Sequence, residues 1–247
     1  MLTAILTDIH ANRQALTACL AHAEQHHATR YAFLGDFVGY GAEPGWVIDT
    51  VKQYVQKGAI AVMGNHDHAV IHEPRKKMHA EAREVIEWTR GKLNHEQLNF
   101  LRTLPMTVER DEIMYVHASA HQPEQWEYVT DTPEAGRSMQ ASKCRIIFSG
   151  HVHMPALYRC AEDGKLGAQL PIPGKANLLR PQHKYLALPG SVGQPRDTNP
   201  AACYALFAHA TRELTFYRVP YDIDSAARKI IEEGLPIVFA MRLVEGI

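Results

Sequence analysis

Apolar and polar positions alternate in blocks along the first third of the chain. Residues 2–7 (Leu-Thr-Ala-Ile-Leu-Thr) form a short apolar run suited to a buried strand, and Asp8-Ile9-His10 follows at once. Residues 12–27 carry Ala15, Leu16, Cys19, Leu20 and Ala23 at helical spacing. A second run over 31–34 ends in Gly35-Asp36. Helical spacing returns over 44–57 (Trp46, Val47, Val51, Tyr54, Val55), with Pro44 in the first turn, where its missing N–H is tolerated. A third run over 59–63 ends in Gly64-Asn65-His66-Asp67. Strand, helix, strand, helix, strand predicts an α/β sheet. Ligand sites in such sheets lie beyond the carboxyl ends of the strands.

The middle reads differently. Residues 76–91 predict a charged amphipathic helix carrying Ala82, Val85, Ile86 and Trp88. Asn94 caps a helix through Leu101, with Pro105 beyond it. Residues 113–116 predict a strand ending in His117, residues 133–142 a short helix, and residues 145–148 a strand ending in Gly150-His151-Val152-His153. The last third is β-rich, with strands over 155–160, 184–188, 202–208 and 213–219 and a final helix over 223–233. Gly164, Gly167, Pro171, Pro173, Gly174 and Pro181 make 161–183 a long hairpin or loop. No repeat, low-complexity tract or linker divides the chain, so one domain over 1–247 is expected.

Composition narrows the function. A chain of 247 residues, 46% of them apolar, can bury a sizeable core. A net charge of −1 without a basic stripe argues against dedicated nucleic-acid binding. The one short cationic run, Arg75-Lys76-Lys77, reads as a solvated helix start. No apolar stretch approaches the roughly 18 residues of a membrane span, and the N-terminus lacks the basic region of a signal peptide. Cys19, Cys144, Cys160 and Cys203 are scattered and form no C-x-x-C pair. They read as thiols of a reducing compartment, so a cytoplasmic protein is expected.

The 15 histidines matter for where they stand. Five polar clusters each follow an apolar run: Asp8-x-His10, Gly35-Asp36, Gly64-Asn65-His66-Asp67, His117 and Gly150-His151-x-His153. Singly they are weak signals. Parallel or mixed strands would gather them at one sheet edge, as a pocket of two carboxylates (Asp8, Asp36), one amide oxygen (Asn65) and four imidazoles (His10, His117, His151, His153). That set suits two divalent transition ions, and Zn, Fe, Mn, Ni or Co over Ca or Mg. Two like charges held roughly 3.5–4 Å apart need an anion between them. Gly35, Gly64 and Gly150 let the chain turn sharply and approach the metals closely.

In order and spacing these motifs, running from Asp8 to His153, resemble the calcineurin-like metallophosphoesterase superfamily. The β-rich end with Pro189-Gly190-Ser191-Val192-Gly193 resembles its prokaryotic members. The resemblance implies an α/β fold whose core is a two-sheet β-sandwich of mixed sheets flanked by helices. It implies that Asp8, His10 and His153 hold one metal, that Asn65, His117 and His151 hold the other, and that Asp36 bridges them beside a shared hydroxide. It makes His66 a general acid or hydrogen-bond donor at the leaving oxygen, oriented by the Asp67 carboxylate. The implied activity is phosphoester hydrolysis, as a phosphodiesterase or a broad phosphatase on small or nucleotide substrates, dinucleoside polyphosphates among them. The alternative is a non-catalytic interaction scaffold of the same fold, from which the presence of His66 and all seven ligands argues away.

Departures from the family pattern bear on substrate. Gly35-Asp36-Phe37-Val38-Gly39 lacks the second carboxylate of Gly-Asp-x-x-Asp, and Tyr40-Gly41-Ala42 stands where protein Ser/Thr phosphatases carry Arg-Gly, which argues against a protein phosphatase. Ala118-Ser119 follows His117 where a Gly is common, and Ala11 replaces another. Arg196 is either a phosphate contact or a salt-bridge partner of Asp197 or another loop carboxylate. Asn12 and Tyr40 are candidate pocket residues, and Arg13 is either a further one or a helix-surface residue. Segment 69–112, between two metal motifs, is placed to cap the site. His68 and His72 are candidates for its rim, and Trp88 and Trp126 either form a substrate wall or close the core. The i, i+4 pair His22 and His26 has no accompanying carboxylate and reads as structural.

Overall fold

The computed structural model describes residues 1–73 and 79–247. The Arg75-Lys76-Lys77 run and the start of the helix expected from residue 76 lie outside them. Two mixed sheets of six strands face each other. The first runs β3 (Ile60–Ala61), β2 (Arg30–Phe33), β1 (Leu2–Leu6), β11 (Ala202–Ala208), β12 (Glu213–Val219), β9 (Ala176–Leu178). The second runs β4 (Thr107–Arg110), β5 (Ile113–Val116), β6 (Ile146–Phe148), β10 (Lys184–Pro189), β7 (Pro155–Cys160), β8 (Leu166–Gln169). β1, β2 and β3 are mutually parallel, as are β5, β6 and β10, and the remaining pairings are antiparallel. Parallel neighbours end at the same edge, so the polar clusters after β1, β2 and β3 meet those after β5 and β6.

The side chains between the sheets explain why the runs are so apolar. Ile5, Leu34, Phe207 and Phe216 of the first sheet pack on Ile113, Ile146, Phe148 and Tyr185 of the second. Strands covered on both faces lose the apolar–polar alternation of a half-exposed sheet. The outer face of the first sheet is covered by α1 (Arg13–Gln25) and α2 (Pro44–Gln56) through Leu16, Cys19, Val47 and Val51. On the outer face of the second, α6 (Thr132–Gln140) sets Ala135 and Met139 against Met114, Ile147 and Leu186.

Two elements were not expected, a helix after β3 and the strand β4, and two expectations need correction. Asn65–Ile71 is a helix, α3, which opens directly on the third polar cluster. The 161–183 segment holds two strands, β8 paired to β7 and β9 paired to β12, so the chain crosses from one sheet to the other there. β4, hairpinned to β5, was masked by its charged Glu109 and Arg110. The last helix is α8 (Ile237–Glu245), beyond α7 (Ile223–Glu232). The uniformly apolar start of α8 carries no helical stripe, and its contacts supply the reason for the helix. Phe239, Ala240 and Leu243 pack on Ala226, Ala227 and Ile230 of α7 and on Val85 of α4 (Ala80–Lys92). Trp88 joins that cluster and so closes the core. The helix capped by Asn94, α5 (His95–Thr103), carries the expected cap, with Asn94 Oδ1 accepting from Gln97 N–H at 2.9 Å.

Candidate metal centre

The strand ends converge because glycine lets them. A Cβ on Gly64 would stand 2.2 Å from Asp36 Oδ1, and one on Gly150 2.7 Å from Asp8 Oδ2. No other residue allows the chains this close. The acidic and imidazole residues themselves adopt left-handed backbone: Asp8 at φ 52°, His10 at 48°, Asp36 at 52°, His151 at 70° and His153 at 64°. Such angles are unfavourable for residues with a Cβ, and their clustering marks a place where strain is retained for function.

Hydrogen bonds orient the rings. His10 Nδ1 donates to Val38 O at 3.1 Å, His117 Nδ1 to Leu34 O at 2.7 Å, and His153 Nδ1 to Gln194 O at 2.6 Å. In the neutral rings all three Nε2 atoms then face inward as lone pairs. Those of His10 and His153 lie 3.1 Å apart. His117 Nε2 lies 3.1 Å from Asn65 Oδ1, 3.2 Å from His151 Nδ1 and 3.4 Å from Asp36 Oδ2. Asp8 Oδ1 is 3.3 Å from His153 Nε2. Acceptors crowded this closely repel one another unless a cation shares them, so the donor set fits divalent metal. Two groups result, Asp8 with His10, Asp36 and His153, and Asp36 with His117 and His151, with Asp36 in both. Asn65 borders the second through its 3.1 Å contact with His117.

Electrostatics agree. Burial opposes ionisation of Asp8 and Asp36, yet the imidazoles around them hold both carboxyls well below the usual range. Burial also opposes a charge on His117, and the Asp36 carboxylate overrides it, raising that ring to about 9. A proton there takes the place of a cation. His151 is lowered to about 3 by burial, with its ring stacked on Tyr128 at 4.1 Å.

His66 sits in the first turn of α3 and borders the cleft over the metal groups. Its ring stands edge-on to His10 at 5.0 Å and Tyr40 at 4.5 Å. Its Nδ1 is buried without a hydrogen-bond partner. Gly39, at φ 87°, makes room for the ring, since a Cβ there would stand 2.4 Å from Nδ1. Asp67 does not reach His66. Its carboxylate is occupied by three main-chain donors, Phe37 N–H at 2.9 Å, Val38 N–H at 3.3 Å and Gly64 N–H at 3.0 Å. It therefore ties the second polar cluster to the third. Burial and the nearby Asp36 charge raise it to about 7.

Asn12 also differs from expectation. Its Oδ1 caps α1 at Ala15 N–H (3.0 Å), and its amide donates to Gly193 O (3.0 Å) and Tyr221 OH (3.3 Å), so its polar atoms are engaged away from the cleft. Arg196 does not pair with Asp197, which pairs with Arg218 instead. It donates to Gln194 Oε1 at 3.1 Å and to Tyr40 OH at 3.4 Å, and among the described residues it has no ion pair. Arg13 pairs with Glu43 on the helix surface. The cleft, about 340 Å³, is walled by Tyr40, His68, His79, Trp126 and Tyr128. Tyr128 gave no sequence signal, because it stands in an irregular segment between two elements. His22 accepts or donates at Tyr204 OH (2.7 Å), in keeping with a structural role.

Sheets, helices and this donor cluster together define a metal-binding phosphoesterase architecture. Residues 1–212 match the model of the calcineurin-like phosphoesterase superfamily domain, and the chain belongs to that family. It is 33% identical to a metallophosphoesterase from Sphaerobacter thermophilus, whose structure superposes with a TM-score of 0.89 over 100% of this chain and 99% of that one. An uncharacterized protein of Methanocaldococcus jannaschii is 34% identical over 253 residues, covering 98% of this chain and 97% of its own. A hypothetical protein from Pyrococcus horikoshii shares the fold at 22% identity, with a TM-score of 0.80 over 99% of this chain and 98% of that one. Family members of this kind use divalent metal ions. No helix among the described residues is long and apolar enough to cross a membrane.

Proposed function

We propose that this chain hydrolyses phosphoesters at a dinuclear centre, as a phosphodiesterase or broad phosphatase on small or nucleotide substrates. The observation that carries the reading is the membership of Asp36 in both donor groups, because a shared carboxylate holds two cations at the spacing that in-line displacement uses. Asp8, His10, Asp36 and His153 would hold one ion, and Asp36, Asn65, His117 and His151 the other. Bound there, two transition ions (Mn, Fe, Ni, Co or Zn) supply neutralisation of the phosphoryl oxygens and activation of water.

The protein does the rest. His66 donates a hydrogen bond or proton to the leaving oxygen. Arg196, free of any carboxylate partner among the described residues, grips a phosphoryl oxygen, and Tyr40 positions its guanidinium. Asp67 keeps the loops bearing Asp36 and Asn65 in register. Trp126 and Tyr128 offer flat walls to the ester group. The chain works as one domain, with the start of α4 in segment 69–112 covering the mouth through His79 and Ala82. We assign it to the cytoplasm, where its free thiols suit a reducing environment.

The test is metal content together with hydrolysis of an aryl phosphodiester and an aryl phosphomonoester, with and without Mn²⁺. Two ions per chain and metal-dependent turnover are expected, and Asp36→Asn should lose both. One ion or none after loading, or an Asp36→Asn protein that keeps two ions, overturns the dinuclear assignment. Two ions without turnover on either ester would favour the scaffold alternative.

A further inference from the structure

The inside of the sandwich changes character at one end. Between most of the strands the inward positions are apolar, as at Ile5, Phe148, Phe207 and Phe216. At the end formed by β7, β8 and β9 they are not. Arg159 stands opposite Tyr185 and two residues beyond Leu157, and so shares their inward face. Gly167 and Gln169 of β8 face Arg159 and Leu157, and Asn177 of β9 faces Leu214. Gln169 donates to Asn177 Oδ1 at 2.8 Å, joining the two outer strands across the gap. The sheets part here around a cleft of about 520 Å³, which Lys175 and Arg180 also line. It shares no lining residue with the cleft over the metal groups.

Two-sheet packing asks for apolar residues at inward positions. Here the sheets part, and Arg159, Lys175 and Arg180 stand exposed, so their charges face the cleft and its solvent and not a closed core. Three cations, Arg159, Lys175 and Arg180, line the cleft with no carboxylate beside them. Among the described residues none of the three forms an ion pair. Asn177 spends its amide on the Lys175 and Leu214 carbonyls and on Gln169, and it thereby fixes Gln169, whose Oε1 and second N–H remain for a ligand. We infer that this cleft binds a compact phosphate-class polyanion, the di- or triphosphate group of a nucleotide or of an inorganic polyphosphate. Guanidinium forks match phosphate oxygens in pairs. The volume suits a small molecule. Leu170 and Ile172 stand exposed on the chain between β8 and β9, so a surface of anionic lipid is the competing occupant. The concave shape and the Gln169 amide favour the small ligand.

Equilibrium dialysis of the full chain against tripolyphosphate and against ATP tests this, with the double variant Arg159→Ala/Arg180→Ala beside the wild type. Both arginines are exposed, and Lys175→Ala gives a second, independent probe. Beyond any anion held at the metal centre, which both proteins share, the wild type should bind one further equivalent that the double variant binds at least about tenfold more weakly, as expected for loss of charge-assisted hydrogen bonds. Aryl phosphodiester turnover should be unchanged in the variants, which separates this cleft from the metal centre. Retention of ATP but not tripolyphosphate would identify a nucleotide, and equal retention the phosphate chain alone. Binding unaffected by all three substitutions would overturn the proposal, as would no binding of either anion. Capture by vesicles containing anionic lipid, without binding of either anion, would also overturn it and assign the face to a membrane surface.

Discussion

Gly39 and His66 make one packing unit. The ring occupies the space a Cβ at residue 39 would fill, and the backbone there is left-handed. His66→Ala should keep the metals and lose about 10²–10⁴-fold in turnover, the worth of a positioned acid. Gly39→Ala should imitate it, with metal content intact and turnover reduced by at least about tenfold, because the ring must move and the residue is strained. Metal analysis beside steady-state kinetics checks both. Loss of metal from His66→Ala would mean that the ring is a ligand. Normal turnover in Gly39→Ala would mean that the ring's position is immaterial. Arg196 shows how local pairing decides a role. Asp197 is its neighbour in the chain, yet that carboxylate turns to Arg218, which leaves the Arg196 guanidinium to Gln194 and Tyr40.

At the scale of elements, α1 depends on Asn12 for more than its cap. The same side chain caps Ala15 N–H and holds the Gly193 carbonyl, so it ties the helix to the loop that follows β10. Asn12→Ala should cost about 2 kcal/mol and lower the melting temperature by about 4–8 °C in a domain of this size. Thermal denaturation measures it. An unchanged melting temperature with a raised KM would restore the substrate-contact role first expected of Asn12. Most elements were legible because each carries its own periodicity: β1, β2, α1, α2 and the strands ending in His117 and His151 all fall within a residue or two of expectation. The convergence of Asp8, His10, Asp36, His117, His151 and His153 into two groups was legible too, since each follows a buried strand. What escaped had no local signal. α3 is a single polar start followed by a short turn of helix, and β4 is fixed by pairing with β5 and by Val108 on the core. α8 is apolar all round at its start and acquires its helix from α7 and α4. The task of Asp67 could not be read either, because its three partners come from two separate loops.

For the molecule as a whole, the donor cluster fastens one sheet to the other. Asp8, His10, Asp36 and Asn65 follow strands of the first sheet, and His117, His151 and His153 strands of the second. A ligand that binds only the folded form stabilises it by mass action. Chelation should therefore lower the melting temperature of the metal-loaded protein by several degrees. Asp36→Asn, unable to hold both ions, should respond little. Differential scanning calorimetry with and without EDTA checks this, and an unchanged transition in a protein shown to contain metal would mean that the cluster does not brace the sheets.

β1 occupies the middle of its sheet, with β2 on one side and β11 on the other. Its partner Ala208 on β11 lies more than 200 residues beyond Leu2, and the Asp8 main chain is held by Gly193 N–H at 2.8 Å. On the ribosome, β1 therefore waits for a partner strand made about 200 residues later. At ordinary rates of synthesis the delay is about 10–40 s. During that interval Asp8 and His10 exist without a finished cradle. Any metal that this cradle takes is thus acquired late in the life of a nascent chain, and a chain released before β11 emerges is left with an open β1 edge that invites association with other chains.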